Sequence, residues 1–167
     1  LSKIAVEGVT MVPMRMFRTI ASGLAIGLTS PAVAQTLEDA AARIRPLAEQ
    51  GQARWQNMLG TCYESGIGGV SQDYAEALKW FRKAAEQGYG DAFANMADLY
   101  AGGHGVPQNY VLAYMYVELA SAQHAETQIL KMTRAVVLKK VTNAQIVEAK
   151  RLAAQCLSAN FKGCEKM

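Results

Sequence analysis

No serine in this chain opens a Ser-x-x-Lys motif and no Lys-Thr-Gly occurs, so the usual serine-acylation machinery is absent. The phosphate cradle Gly-x-x-x-x-Gly-Lys-Ser/Thr is missing too, which leaves the glycine clusters to be explained by turns. Histidine is scarce. His104 and His124 stand twenty residues apart, without the short His/Cys/carboxylate spacing of a zinc site, and each reads as a turn residue. Basic residues are not clustered with aromatics. Residues 35–124 hold 6 Lys/Arg against 10 Asp/Glu and residues 125–167 hold 8 against 3, giving an acidic body and a basic tail. That surplus, spread along a helical tail, is no nucleic-acid footprint. These absences predict no catalytic residue, no metal, no cofactor and no nucleic-acid partner.

Apolar runs of the roughly 20 residues that span a bilayer are also lacking. The best candidate, Ile20 to Leu28, stops at about half that length before a Ser30-Pro31 break. Met14-Arg15-Met16-Phe17-Arg18 precedes it as a short basic start, and Pro31-Ala32-Val33-Ala34 ends in an Ala-x-Ala site before Gln35. That order is the pattern of a secretory signal peptide. Residues 1–34 are therefore read as an upstream extension and signal peptide. Cleavage after Ala34 would leave 133 residues, periplasmic or secreted, soluble and with no stable membrane span.

What the chain has is repetition, in a composition that is 51% hydrophobic and so able to bury a core. Tyr63 falls on Tyr100 and Gly66 on Gly103 at an offset of 37, then Tyr74 on Tyr110, Ala77 on Ala113, Trp80 on Tyr116 and Ala84 on Ala120 at 36. The step of one is an inserted glycine at Gly68-Gly69. Ala48-Glu49-Gln50-Gly51 matches Ala85-Glu86-Gln87-Gly88, so residues 35–52 carry the second half of a unit. Whole units follow at 53–88 and 89–124, and 125–167 forms a tail. Trp55, Leu59, Cys62 and Tyr63, and then Tyr74, Ala77, Leu78, Phe81 and Ala85, recur at helical spacing, which makes each unit two helices. Gly66, Gly68 and Gly69, with Gly102, Gly103 and Gly105, are expected to supply the backbone angles of the turns. Asp73 and Asn109 stand where the second helices begin, and small residues at Gly60 and Ala97 allow close helix approach.

The pattern Leu59-Gly60-x-x-Tyr63-x-x-Gly66-x-Gly68, then Val70-x-x-Asp73-Tyr74-x-x-Ala77-x-x-Trp80-x-x-x-Ala84-Ala85-x-x-Gly88, resembles the Sel1-like repeat, a cousin of the tetratricopeptide repeat. The second copy departs from it at Ala97 for the usual glycine and Tyr116 for the usual tryptophan, with role and approximate size kept. The resemblance implies an all-α, right-handed solenoid of antiparallel helix pairs and a role in mediating protein interactions. Some secreted, cysteine-rich members of that family are linked to binding or hydrolysing β-lactams, with a cysteine pair in every repeat. Here only Cys62 lies within a whole unit, aligned with the apolar Leu99. The expected function is thus a non-catalytic scaffold or adaptor that binds a protein or peptide. The alternatives are a β-lactam-directed envelope enzyme and an immunity or inhibitor protein.

By analogy with the family, the first helices line a concave surface. Their polar positions off the apolar stripe are Arg54, Asn57, Thr61 and Glu64, then Asp91, Asn95 and Asp98, the candidate partner-binding residues. The other reading of each is an ordinary solvated position. In the tail, residues 126–140 read as a helix, and Thr142-Asn143-Ala144-Gln145 has the form of a capping box opening another through about Ala159. Ile146, Ala149, Leu152, Ala153 and Cys156 give that helix an apolar stripe suited to capping the solenoid. Cys156 and Cys164 are expected to form a disulfide, free thiols being the alternative; a loop that short would contribute on the order of 2–3 kcal/mol. Two and a half units is short for a solenoid, so the tail helices, or self-association through the solenoid ends, must cover the exposed faces.

Overall fold

A computed structural model describes residues 39–164, so the expected signal peptide lies outside the described residues. Seven helices follow in order: α1 (Ala40–Glu49), α2 (Ala53–Ser65), α3 (Tyr74–Ala85), α4 (Gly90–Gly102), α5 (Tyr110–Ala122), α6 (Gln128–Leu138) and α7 (Asn143–Ser158). The described residues are all-helical. α2 pairs with α3 and α4 with α5, while α1 lies on α2 and α3 on α4, so each pair rests on the next. None of these helices is long and apolar enough to cross a membrane.

The two units are built by the same local chemistry. Gly66 ends α2 and Gly103 ends α4, at φ 66° and 73°, in the left-handed region that a Cβ disfavours. The Asp73 carboxylate accepts from the Glu76 N–H to open α3, and the Asn109 side chain accepts from the N–H groups of Val111 and Leu112 to open α5. Gly102 departs from the expectation. It is the last residue of α4 and has no positive φ. A side chain there would instead meet the His104 ring, whose nearest atom lies 2.6 Å from the position a Cβ would take. That ring stacks on Tyr74 at 5.0 Å, so the space is taken by a contact between units.

The turns also join one unit to the one before. Gly68 lies against the start of α1, with its carbonyl accepting from the Ala41 N–H at 2.9 Å and a Cβ position 3.0 Å from that nitrogen. Gly105, its counterpart, lies against the start of α3, where a Cβ would come within 2.7 Å of Tyr74 Cβ. Apolar side chains then form two clusters. Ala41, Ile44, Ala48, Leu59, Cys62 and Trp80 hold α1 to the first unit. A larger cluster runs from α3 into the tail and buries Phe81, Phe93, Met96, Met115, Tyr116 and Val137 almost fully.

The tail begins with α6, which packs on α4 and α5, and continues with α7, which packs on α5. Thr142 and Gln145 form the reciprocal capping box that the sequence signals at the start of α7. Ala149, Leu152, Ala153 and Cys156 are the buried stripe of that helix, with Ile146 partly covered. Cys156 and Cys164 are joined by a disulfide with their Cα atoms 5.1 Å apart. Between them Asn160 and Phe161 are consecutive non-glycine residues at φ 49° and 65°. Phe161 costs on the order of 1–2 kcal/mol there relative to the right-handed region, and Asn160, a residue type that visits this region more readily, costs less.

Candidate functional site

The seven candidate binding residues fall on the first helices of the two units. With a period of 3.6, Arg54, Asn57, Thr61 and Glu64 share one face of α2, and Asp91, Asn95 and Asp98 share one face of α4. The structure sets the two faces side by side, with Asn57 and Asn95 in direct contact.

At the start of α2 the Arg54 guanidinium lies over the Trp55 ring, 5.8 Å from its centroid. Tyr89 feels both Arg54 and Asp91: burial and then the Asp91 carboxylate raise its phenol above the ordinary range, while Arg54 pulls it down. Midway, Asn95 is 6% exposed and its Nδ2 donates to Asn57 Oδ1 at 3.0 Å. Asn95 is therefore committed to holding α4 against α2 rather than facing outward. Thr61 Oγ1 donates to the Asn57 carbonyl at 3.2 Å, bonding back into its own helix.

The far end is acidic. Burial pushes the Glu64 carboxyl up to about 7, and the neighbouring charge of Asp98 adds to the shift. Asp98 in turn accepts from the Thr133 hydroxyl at 2.8 Å, which ties α4 to α6. Arg54 is exposed, and Asn57, Thr61, Glu64, Asp91 and Asp98 are half-buried. The stripe is thus a partly open polar seam with Arg54 and Asp91 at one end and a carboxylate pair at the other.

Two participants were not visible in the sequence. Thr133 is buried on α6, and nothing in its local pattern marks it as the partner of Asp98. Gln56, also buried, donates to the Ala48 carbonyl at 3.1 Å and accepts from Gln87 at 2.7 Å, bracketing α1, α2 and α3. The Cys62 thiol is buried and pushed up by that burial, the opposite of what a thiolate nucleophile requires. Among the described residues no cluster of three His, Cys, Asp or Glu side chains could hold a metal ion.

Comparison with known proteins gives a family for the repeats. The family model described as Sel1 repeat matches residues 55–89 and 91–124. The chain is 37% identical over 75 residues, 44% of its length, to an ERAD-associated E3 ubiquitin-protein ligase component of Arabidopsis thaliana, and the match takes in 11% of that protein. It is 35% identical over 86 residues to chitin synthase regulatory factor 3 of Schizosaccharomyces pombe, covering 47% of this chain and 9% of that one. In both relatives the match is confined to a small part of a longer protein. Among solved structures, a protective antigen of uropathogenic Escherichia coli displaying an SLR fold superposes with a TM-score of 0.65 at 29% identity, over 78% of this chain and 28% of that one.

Proposed function

Because this chain is a Sel1-repeat protein, with one copy at residues 55–89 and another at 91–124, we propose that it is a non-catalytic interaction scaffold. Such repeats mediate protein interactions, and the seam along α2 and α4 is the surface offered. The observation that carries this reading is the arrangement of Arg54, Glu64 and Asp98. All three keep exposure while the apolar residues beside them are consumed in the core. A partner segment lying along the seam would meet Arg54 beside Asp91 at one end and two carboxylates at the other, which favours a segment with a basic group at the Glu64–Asp98 end. A basic group beside Glu64 favours its charged form, so binding would release a proton near pH 7 and weaken as pH falls below that. The disulfide, and the bacterial antigen that shares the fold, support an extracytoplasmic setting, periplasmic or secreted.

Asn57 and Asn95 pair with each other, so their replacement would confuse binding with stability. The informative variant is Arg54→Gln, Glu64→Gln and Asp98→Asn combined, which removes charge and keeps hydrogen-bonding capacity. Binding of the native partner, measured by calorimetry, should fall at least tenfold with an unchanged circular dichroism spectrum. Full affinity in the triple variant would remove the seam from the account.

A further inference from the structure

Units of a solenoid touch mainly their neighbours, yet the turn after α7 returns to the junction between the two repeats. The Phe161 ring packs on Phe93 with centroids 5.4 Å apart. A Cβ on Gly88 would lie 2.9 Å from the Phe161 ring, so the ring occupies a place that a side chain at 88 would take. Beside it is a half-open cavity of about 270 Å³ whose apolar wall includes Phe93, Met96, Tyr116 and Phe161, with Cys164 at the tail side and the charged Arg82 and Glu86 also on its lining. Phe93 and Met96 lie on the side of α4 opposite Asp91, Asn95 and Asp98, so this cavity is separate from the polar seam.

The turn is held by three features and opposed by one, the first being the helix-end backbone bond in which the Phe161 N–H donates to the Cys156 carbonyl at 2.9 Å. The Cys156–Cys164 bond closes it, and the ring contact with Phe93 buries apolar surface. Against them stand Asn160 and Phe161, two successive left-handed residues, neither of them glycine. Without the Cys156–Cys164 bond, the ring contact and the helix-end backbone bond alone oppose a return to ordinary angles, and because the direction of the Phe161 side chain follows its own φ, such a return carries the ring away. We propose that residues 159–164 form a redox-controlled flap, held against the cavity and partly covering it as the disulfide and released from it as the dithiol.

The opening step is thiol–disulfide exchange with a dithiol reductant. A reductant thiolate attacks Cys164 Sγ, because Cys156 is fully buried on α7 while Cys164 keeps slight exposure. The Cys156–Cys164 bond breaks, Cys156 leaves as thiolate and takes a proton, and a mixed disulfide to Cys164 remains. The second thiol of the reductant, losing its proton, displaces Cys164, which is protonated in turn. Two electrons have passed, the protein holds two thiols and the reductant holds one disulfide.

The test uses the full chain before and after dithiothreitol, with reduction verified by the mass of two added hydrogens. Expected are a several-fold rise in fluorescence of ANS, an anionic dye that reports exposed apolar surface, and faster amide exchange confined to residues 157–164 and the Gly88 junction, at constant helical content. Phe161→Ala should give the dye signal with the disulfide intact. Asn160→Gly, which relieves one left-handed residue without touching a ring or a sulfur, should reduce the rise seen on reduction. Unchanged dye binding and exchange after verified reduction would overturn the proposal. So would general loss of helix, which would make the bond a plain staple, or an Asn160→Gly protein that opens on reduction as fully as the native one.

Discussion

At the scale of single residues, what distinguishes a position is often the neighbour it must tolerate rather than its own chemistry. Glu64 shows this through its titration. Its carboxyl is raised to about 7 by burial, so the folded state holds a proton that the unfolded state has lost once pH exceeds the ordinary carboxylate range. That contribution is present at low pH and is lost as pH rises through about 7. Glu64→Gln should therefore match the native melting temperature below about pH 4.5, pull ahead of it as pH rises from there, and exceed it fully above about pH 7. Equal pH slopes for the two proteins would refute the assignment. His124 is the second case. It stands at φ 57° where the preceding unit has Gly88, at φ 75°. His124→Gly should stabilise the fold by about 1 kcal/mol, read as a rise of a few degrees in melting temperature. The turn role of His124 was legible from its alignment with Gly88. The reason for Gly102 was not, because it lies in the ring of His104 rather than in any backbone angle of its own.

At the scale of helices, the repeat is conserved in shape while its side chains trade volume. Gly60 is required because a Cβ there would sit 2.6 Å from the Phe81 ring. In the second unit Ala97 occupies the Gly60 position and Val117 the Phe81 position, both fully buried, so the added methyl is offset by a smaller partner. Gly60→Ala should destabilise by about 1–3 kcal/mol through overpacking, and that cost should shrink in a Phe81→Val background. A denaturant double-mutant cycle showing strict additivity would contradict the pairing. Element boundaries were accessible from sequence wherever a local signal exists: Asp73, Asn109 and the Thr142–Gln145 box each mark a helix start. The pairings Asn57–Asn95 and Asp98–Thr133 were not, because they depend on how α2, α4 and α6 are set against one another, which no spacing within one helix encodes.

At the scale of the molecule, α1, two Sel1 repeats and the tail helices pack one on the next. Gly68 and Gly105 seat each turn on the helix pair before it. The stack has two differently built surfaces on α4: a polar seam shared with α2, and the aromatic cavity under Phe161. The central claim is that the seam is where a protein partner lies. It is tested most directly by a photo-crosslinking residue placed at Thr61 or Asp91 on the seam, and at Lys79 or Lys83 on α3, in the native setting. The account predicts one common adduct from both seam positions, lost in the Arg54→Gln, Glu64→Gln, Asp98→Asn protein, and none from α3. An adduct formed from Lys79 or Lys83 and absent from Thr61 and Asp91 would contradict it.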